Sequence, residues 1–172
     1  MIEAGLDFTI CPSPAEEAHD ATLSPAALTE MNAKLKVDAV VDRFPDQIVI
    51  GADTLVYIDG EPLGKPRDMT EAEQMLGRLT GRTHQVCTGV CLMKGKDKVR
   101  CFHVITEVTF KNLDVAAIRD YLQKIEPLDK AGAYAAQEHG ALIIEKTEGS
   151  WTNVVGLPMD ELLKELESFA AD

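Results

Sequence analysis

The run Ile48-Val49-Ile50-Gly51-Ala52-Asp53-Thr54 constrains this chain more than any other stretch. Consecutive β-branched residues suit a buried strand, and the run breaks at a glycine that is soon followed by an acid. Asp53 is therefore expected at the C-terminal end of a strand, where α/β proteins meet their ligands. Asp59-Gly60 is a hairpin signal just downstream, and Gly64-Lys65-Pro66 then places a cation close in sequence to that carboxylate. An acid and a lysine so arranged suit phosphate chemistry, although an aspartate after a strand also serves as a turn former or helix cap. Gly60 to Lys65 is not a P-loop: one residue too few separates the glycines, and Pro66 stands where that loop has its metal-binding Ser or Thr.

Upstream, Phe8–Cys11 reads as a short strand that ends at Pro12-Ser13-Pro14. Ser24-Pro25 reads as a helix cap with proline at the first helical position, and Leu28, Met31, Leu35 and Val40 mark the apolar side of the helix that follows. Downstream of Pro66, Thr70 and Glu73 are placed for a capping box, Met75, Leu76 and Leu79 supply an apolar face, and Gly81 stops the helix. Two long strand segments, about 83–93 and 99–110, flank the polar turn Lys94-Gly95-Lys96-Asp97-Lys98. The second alternates Phe102, Val104, Thr106, Val108 and Phe110 with Cys101, His103, Ile105 and Glu107, the period of a sheet with one buried face. Asp114 caps a helix bearing Val115, Ile118 and Leu122. Ala141–Ile144 reads as another strand, and Pro158 opens a last helix with Leu162, Leu163 and Leu166. With no linker and no repeat, the 172 residues form one mixed α/β domain, α+β or built on a mixed sheet. Purely alternating βαβ units and G-x-G-x-x-G are both absent, which argues against a Rossmann fold.

Composition narrows the partners. A formal net charge of −12 disfavours a long polyanion, since nucleic-acid binding depends on clustered Lys and Arg, while a small anion bridged by a metal stays compatible. No apolar run reaches the ~18 residues of a membrane helix, and no basic region precedes an apolar core at the N-terminus. Cys11, Cys87, Cys91 and Cys101 form no C-x-x-C pair, so they read as core or half-buried thiols in a reducing compartment, with the cytoplasm as default. The four histidines, His19, His84, His103 and His139, show no metal-ligand spacing and take no role.

One more segment stands out. Glu126 to Gln137 gathers two acids, a lysine, a glycine and an amide in irregular chain, either a functional loop or a solvated connector. Gln137 carries donor and acceptor groups that could read the edge of a base. Trp151, Asn153 and Gly156-Leu157-Pro158 are read as fixing the start of the last helix.

Taken together, Gly51-Ala52-Asp53-Thr54, Gly64-Lys65-Pro66-Arg67-Asp68, Leu79 to His84, Thr88-Gly89-Val90, Asp129 to Tyr134 with Gln137, and Asn153 to Pro158 resemble the Maf family of nucleoside triphosphate pyrophosphatases, in order and over nearly the whole chain. The resemblance implies a fold related to the inosine triphosphatases: an elongated mixed sheet, flanking helices, and a cleft between two lobes. It implies hydrolysis of a nucleoside triphosphate to the monophosphate and pyrophosphate with a divalent cation, Mg²⁺ or Mn²⁺, homodimers, and in some members a tie to septum formation. By position, Asp53 corresponds to the family's proton acceptor and Lys65 to its conserved lysine. Glu17 corresponds to the acid after the Pro-Ser stretch, Lys36 to the helix lysine, and Gln137 to a substrate-selecting amide. Thr54 matches the subgroup specific for dTTP and UTP, whereas the 7-methyl-GTP subgroup has Ser-Asp-Gln at this site. Two departures accompany the match. The family's initial strand and Ser-x-Ser-Pro-Arg-Arg element do not occur here, so the chain reads as truncated at its N-terminus, and Glu138 stands where relatives carry Gly.

The implied chemistry has Glu17 and Asp53 holding the cation, Asp53 accepting a proton from the attacking water, and Lys65 offsetting charge on the phosphates. The rival readings are a nucleotide-binding or division-regulating module without catalysis, and a stable domain whose motif residues now serve folding alone.

Overall fold

The computed structural model describes residues 1, 5–20 and 22–171. Its centre is a five-stranded sheet in the order β2-β1-β3-β4-β5, formed by β1 (Val49–Ile58), β2 (Glu61–Leu63), β3 (Thr83–Lys94), β4 (Lys98–Phe110) and β5 (Ile144–Glu148). The helices are α1 (Pro25–Asp38), α2 (Met69–Leu79), α3 (Val115–Leu122), the single turn α4 (Trp151–Val154) and α5 (Met159–Ala171). The mixed α/β class is as expected. All four strand pairings are antiparallel, so the mixing is of helices with strands and not of strand directions.

The β3–β4 hairpin is the backbone of the sheet, with Cys91 opposite Cys101 and His84 opposite Val108. The Asp59-Gly60 turn has positive φ at both residues, 57° and 79°, the two-residue geometry that suits tight hairpins.

Odd-numbered residues of β1 and β3 face α1, and even-numbered ones face the other helices. On the odd face the helix lies almost on the backbone. A Cβ added to Gly89 would lie 2.3 Å from the carbonyl carbon of Thr29 and 2.4 Å from the nitrogen of Glu30, and one on Gly51 would lie 2.7 Å from the carbonyl oxygen of Ala33. The two glycines are what allow this approach. It also decides which side of α1 is buried: Leu28, Thr29, Asn32, Ala33 and Val37 are, whereas Leu35 is exposed. Of the apolar side expected from Leu28, Met31, Leu35 and Val40, Leu28 and Val40 are buried and Met31 is half-buried, while Leu35 is exposed and the close approach is made by Thr29, Asn32, Ala33 and Val37.

On the even face the main core joins α2 and α3 to Val56, Val86, Val108 and Phe110, and α5 packs Leu162 and Phe169 on Val90 and Leu92.

Four local expectations change. Phe8–Cys11 pairs with no strand and is irregular. The cap of α2 is Asp68, whose carboxylate accepts from the Glu71 N–H at 2.9 Å. Thr70 lies inside the helix, and Glu73 instead pairs with Arg119 of α3. Gly140–Leu142 is a 3-10 turn and the strand begins at Ile144, since Phe110 pairs with Ile144 and the ladder runs from there to Glu148. Finally, Asp53 lies in the middle of β1, because the strand continues through Ala52-Asp53-Thr54 to Ile58. The caps at Ser24 and Asp114 and the stop at Gly81 are as expected.

Candidate active site

β2 pairs only with Val56–Ile58, so towards its N-terminus β1 has one edge without a strand partner among the described residues. A cleft of about 730 Å³ wraps round that edge. Glu17, His19, Asn32, Lys36 and Asp53 form one charged group in it, and Lys65, Asp129 and Lys130 add further charge. Leu55, Val56, Val86, Ala131, Val154 and Val155 form an apolar portion, beside Thr54 and Gly156.

The first of these groups is built on α1. Asn32 and Lys36 are one helical turn apart and both reach Asp53, which is only 6 % exposed. Lys36 Nζ donates to Asp53 Oδ1 at 2.6 Å and to the Ala52 carbonyl at 3.3 Å, and pairs with Glu17 Oε1 at 2.9 Å. Asn32 Nδ2 donates to Asp53 Oδ2 at 3.1 Å. The same amide clasps the Glu17 segment: Asn32 Oδ1 accepts from the Ala18 N–H at 2.8 Å, and its Nδ2 is 3.2 Å from the Ala18 carbonyl. Ser13 Oγ makes a second clasp by donating to the Lys36 carbonyl at 2.9 Å. Glu17 therefore comes from irregular chain yet is held on two sides.

Electrostatics follow from these contacts. The hydrogen bond from Lys36 holds the Glu17 carboxyl below its ordinary value, against the opposing effect of burial. Burial acts to lower the Lys36 ammonium, but the bonds to Asp53 and Glu17 outweigh it and the net shift is upward. Glu17 and Lys36 therefore stay charged together across neutral pH.

The Asp129–Tyr134 segment is joined to the Gly64-Lys65 segment through a hydrogen bond from the Gly132 N–H to the Gly64 carbonyl, 3.0 Å. Gly132 and Ala133 both have positive φ, 69° and 60°. For alanine that conformation is strained, and such strain clusters where a loop is shaped for a ligand. Tyr134 bonds through its hydroxyl to His84 Nε2 at 3.0 Å and packs edge-on against His84 and Phe110. Burial lowers the His84 pKa to about 4, consistent with a core histidine. Lys65 is exposed on the rim and bonds to no described residue.

The even face contributes a chain of hydroxyls. Thr54 Oγ1 is 2.9 Å from Thr88 Oγ1, and Thr88 Oγ1 donates to the Asn153 carbonyl at 3.1 Å. Asn153 is fully buried and its Nδ2 donates to the Val86 carbonyl at 3.0 Å and to Thr106 Oγ1 at 2.9 Å, which fixes α4 on the sheet. Trp151 is half-exposed, so Asn153 does the anchoring. The Thr152 hydroxyl accepts from the Met159 N–H at 2.9 Å and fixes the start of α5.

Of the residues singled out from sequence, Glu17, Lys36, Asp53, Thr54 and Lys65 all line this cleft. Gln137 does not; it is exposed beyond Ala136. From the 126–137 segment the cleft takes Asp129, Lys130, Ala131 and Tyr134 instead. His19, given no role from spacing, lines the cleft with Glu17 and Asp53. Asn32 was missed; its one signal is the four-residue spacing from Lys36 on a helix.

Residues 1–169 match the family described as Maf-like protein. The chain belongs to the Maf family. It is 44 % identical over 162 residues to a protein of Akkermansia muciniphila named dTTP/UTP pyrophosphatase, covering 94 % of this chain and 85 % of that protein. Relatives of the same name in Symbiobacterium thermophilum and Bacillus velezensis are each 44 % identical, over 97 % and 95 % of this chain and 86 % of their own lengths. Among the described residues no helix is long and apolar enough to cross a membrane, and the four cysteines are free thiols.

Proposed function

We propose that this chain is a nucleoside triphosphate pyrophosphatase that hydrolyses dTTP and UTP to the monophosphate and pyrophosphate. The observation that carries the reading is the buried Asp53 carboxylate, bonded by Lys36 and Asn32 in a cleft that holds both a charged group, with Lys65 and Lys130 among it, and an apolar portion of Val56, Val86, Val154 and Val155. A nucleotide has the same division, with charge at the phosphates and a flat, largely apolar base at the far end.

In this reading Asp53 accepts a proton from a water whose oxygen attacks the α-phosphorus. The new P–O bond forms as the anhydride bond to the β-phosphate breaks, and pyrophosphate leaves with that electron pair. Lys36 and Asn32 fix the two oxygens of Asp53, so the base is aimed before substrate arrives, and pre-paid orientation is a large part of such rate enhancements. Lys65, exposed and lining the same cleft, supplies a cation free to meet phosphate oxygens.

Glu17 and Asp53 suit a divalent cation in the donor set they offer. Both are hard oxygen donors, and Lys36 keeps Glu17 ionised. Among the described residues there is no group of three or more His, Cys, Asp or Glu side chains that could hold a metal. Mg²⁺ is usually held by one or two carboxylates with substrate phosphates supplying further ligands, and Glu17 and Asp53 would be the two carboxylates here. When bound, such a cation would neutralise phosphate charge and ease the approach of a triphosphate to an acidic protein.

Pyrophosphate release from a panel of UTP, dTTP, CTP, ATP, GTP and 7-methyl-GTP, with Mg²⁺ or Mn²⁺ and again after chelation, tests this reading. Release from UTP and dTTP above the purines, lost on chelation, is expected. Binding without release would return the non-catalytic module, and faster turnover of 7-methyl-GTP than of UTP would overturn the substrate assignment.

A further inference from the structure

We infer that the Thr88 hydroxyl, which never touches substrate, makes Thr54 an acceptor only, and that this is how the cleft tells uracil and thymine from cytosine. The inference rests on the nucleotide reading above and adds the atom that reads the base.

A threonine hydroxyl has one proton to give and two lone pairs. Thr88 is fully buried, with two polar neighbours for its oxygen: the Asn153 carbonyl at 3.1 Å and Thr54 Oγ1 at 2.9 Å. A carbonyl cannot donate, so the Thr88 proton goes to Asn153. The second contact is then satisfied in one direction only, with Thr54 donating its proton to Thr88. The acceptor is well fixed, because Asn153 is itself buried and held by bonds to Val86 and Thr106. Its carbonyl also takes the Gly156 N–H at 2.9 Å, which uses the second lone pair.

With its proton committed inward, Thr54 has only lone pairs to present to the cleft. It lines the cleft beside Gly156, which has no side chain to cover its hydroxyl: a Cβ added there would lie 3.5 Å from Thr54 Oγ1. An acceptor with no proton of its own favours a ring N–H. Uracil and thymine offer one at N3; cytosine has a bare nitrogen there, so two acceptors would face each other. Sites that hydrogen-bond a substrate group reject analogues that leave the bond unmade.

The test compares kcat/KM for UTP and CTP, and equilibrium binding of both, in the wild type and three variants, with melting temperatures recorded. The wild type is expected to favour UTP. In Thr88→Val the Thr54 hydroxyl is released and can turn to donate, so the UTP-to-CTP ratio should fall by about tenfold or more, the scale of one buried hydrogen bond. Thr88→Ser keeps the hydroxyl and should retain the ratio, and Thr54→Val should lose both the ratio and affinity for UTP. A loss of stability alone would lower both substrates equally and leave the ratio in place. Should Thr88→Val fail to fold, Thr88→Ser and Thr54→Val still decide. A wild type that turns over or binds UTP and CTP alike, or an unchanged ratio in folded Thr88→Val or Thr54→Val, overturns the inference while leaving the pyrophosphatase reading in place. A wild type that binds both and hydrolyses neither overturns that reading, and the binding ratios still judge the inference. Binding of neither nucleotide overturns both.

Discussion

Asp53 and Thr54 are neighbours on β1, yet they stand in different chemical regions because successive residues of a strand face opposite ways. Asp53 points to α1 and meets a full charge, the Lys36 ammonium with Glu17 behind it, alongside the neutral Asn32 amide. Thr54 points to α4 and meets only neutral groups, the Thr88 hydroxyl and through it the Asn153 carbonyl. The charged side locks positions, since charge-assisted bonds are about twice as strong as neutral ones. The neutral side locks the direction of a proton. Because β2 stops short, both sides open onto one cleft at the strand edge, and two adjacent residues can address the two unlike ends of one nucleotide.

The sharpest way to break this contrast is Asp53→Asn, which keeps the shape and removes the base. Turnover should fall by about 10²–10⁴-fold, the usual cost of losing a general base, with nucleotide binding and fold retained. Steady-state kinetics beside equilibrium binding check it, and undiminished turnover would falsify the assignment of Asp53.

On the even face the strongest electrostatic feature is structural. His84 is buried and neutral, with burial lowering its pKa from 6.5 to about 4. In that window the unfolded chain binds a proton that the native chain does not, so stability rises with pH across it. Lowering the pH from 7 to 4 should cost roughly 3 kcal/mol from this group, by the usual conversion of pKa shifts to free energy. Denaturant titrations at a series of pH values should show this slope in the wild type, and a shallower one in His84→Gln.

Gly89→Ala should strike the odd face alone. Its added Cβ meets backbone of α1, which cannot rotate out of the way, so α1 must lift and carry Lys36 and Asn32 from Asp53. Overpacking of this kind costs about 1–3 kcal/mol. Activity is expected to fall further than the melting temperature implies, while the UTP-to-CTP binding ratio set by Thr54 persists. A variant that kept wild-type turnover would show that α1 does not position Asp53.

The smallest expected effect is at Lys65, which belongs to neither face and sits exposed on the rim. Lys65→Met should lower kcat/KM by about tenfold, an electrostatic contribution of roughly 1.4 kcal/mol, and leave the melting temperature unchanged. Raised salt should narrow the gap between wild type and variant, because exposed charges are screened.

Much of this was legible beforehand. The hairpin of β3 and β4, the Asp59-Gly60 turn, and the helix caps at Ser24 and Asp114 announce themselves because each depends on local chemistry: alternation, positive φ, a side chain that bonds its own helix end. Asp53 and Lys65 were legible as candidates for the same local reason. Asp68 as the cap of α2 was missed because two acceptors, Asp68 and Thr70, stand two residues apart, and only the packing of Ala72, Met75 and Leu76 decides where the helix begins. The inward turn of Asn32 was illegible because polar residues on α1 look solvated until the sheet glycines bring the helix down onto β1 and β3.

The sequence by itself determined the fold class and the residue types of the site, since periodicity and turn preferences act within a few residues. Tertiary structure alone decided that Asp53 lies mid-strand at an open edge, that Glu17 in irregular chain meets Lys36, and that Gln137 lies away from the cleft. It also decided that Thr54, Thr88 and Asn153, 99 positions apart from first to last, form one chain of hydrogen bonds. These are matters of where a strand finds its partner and how closely a helix can approach it, and the groups that settle them are far apart in the sequence.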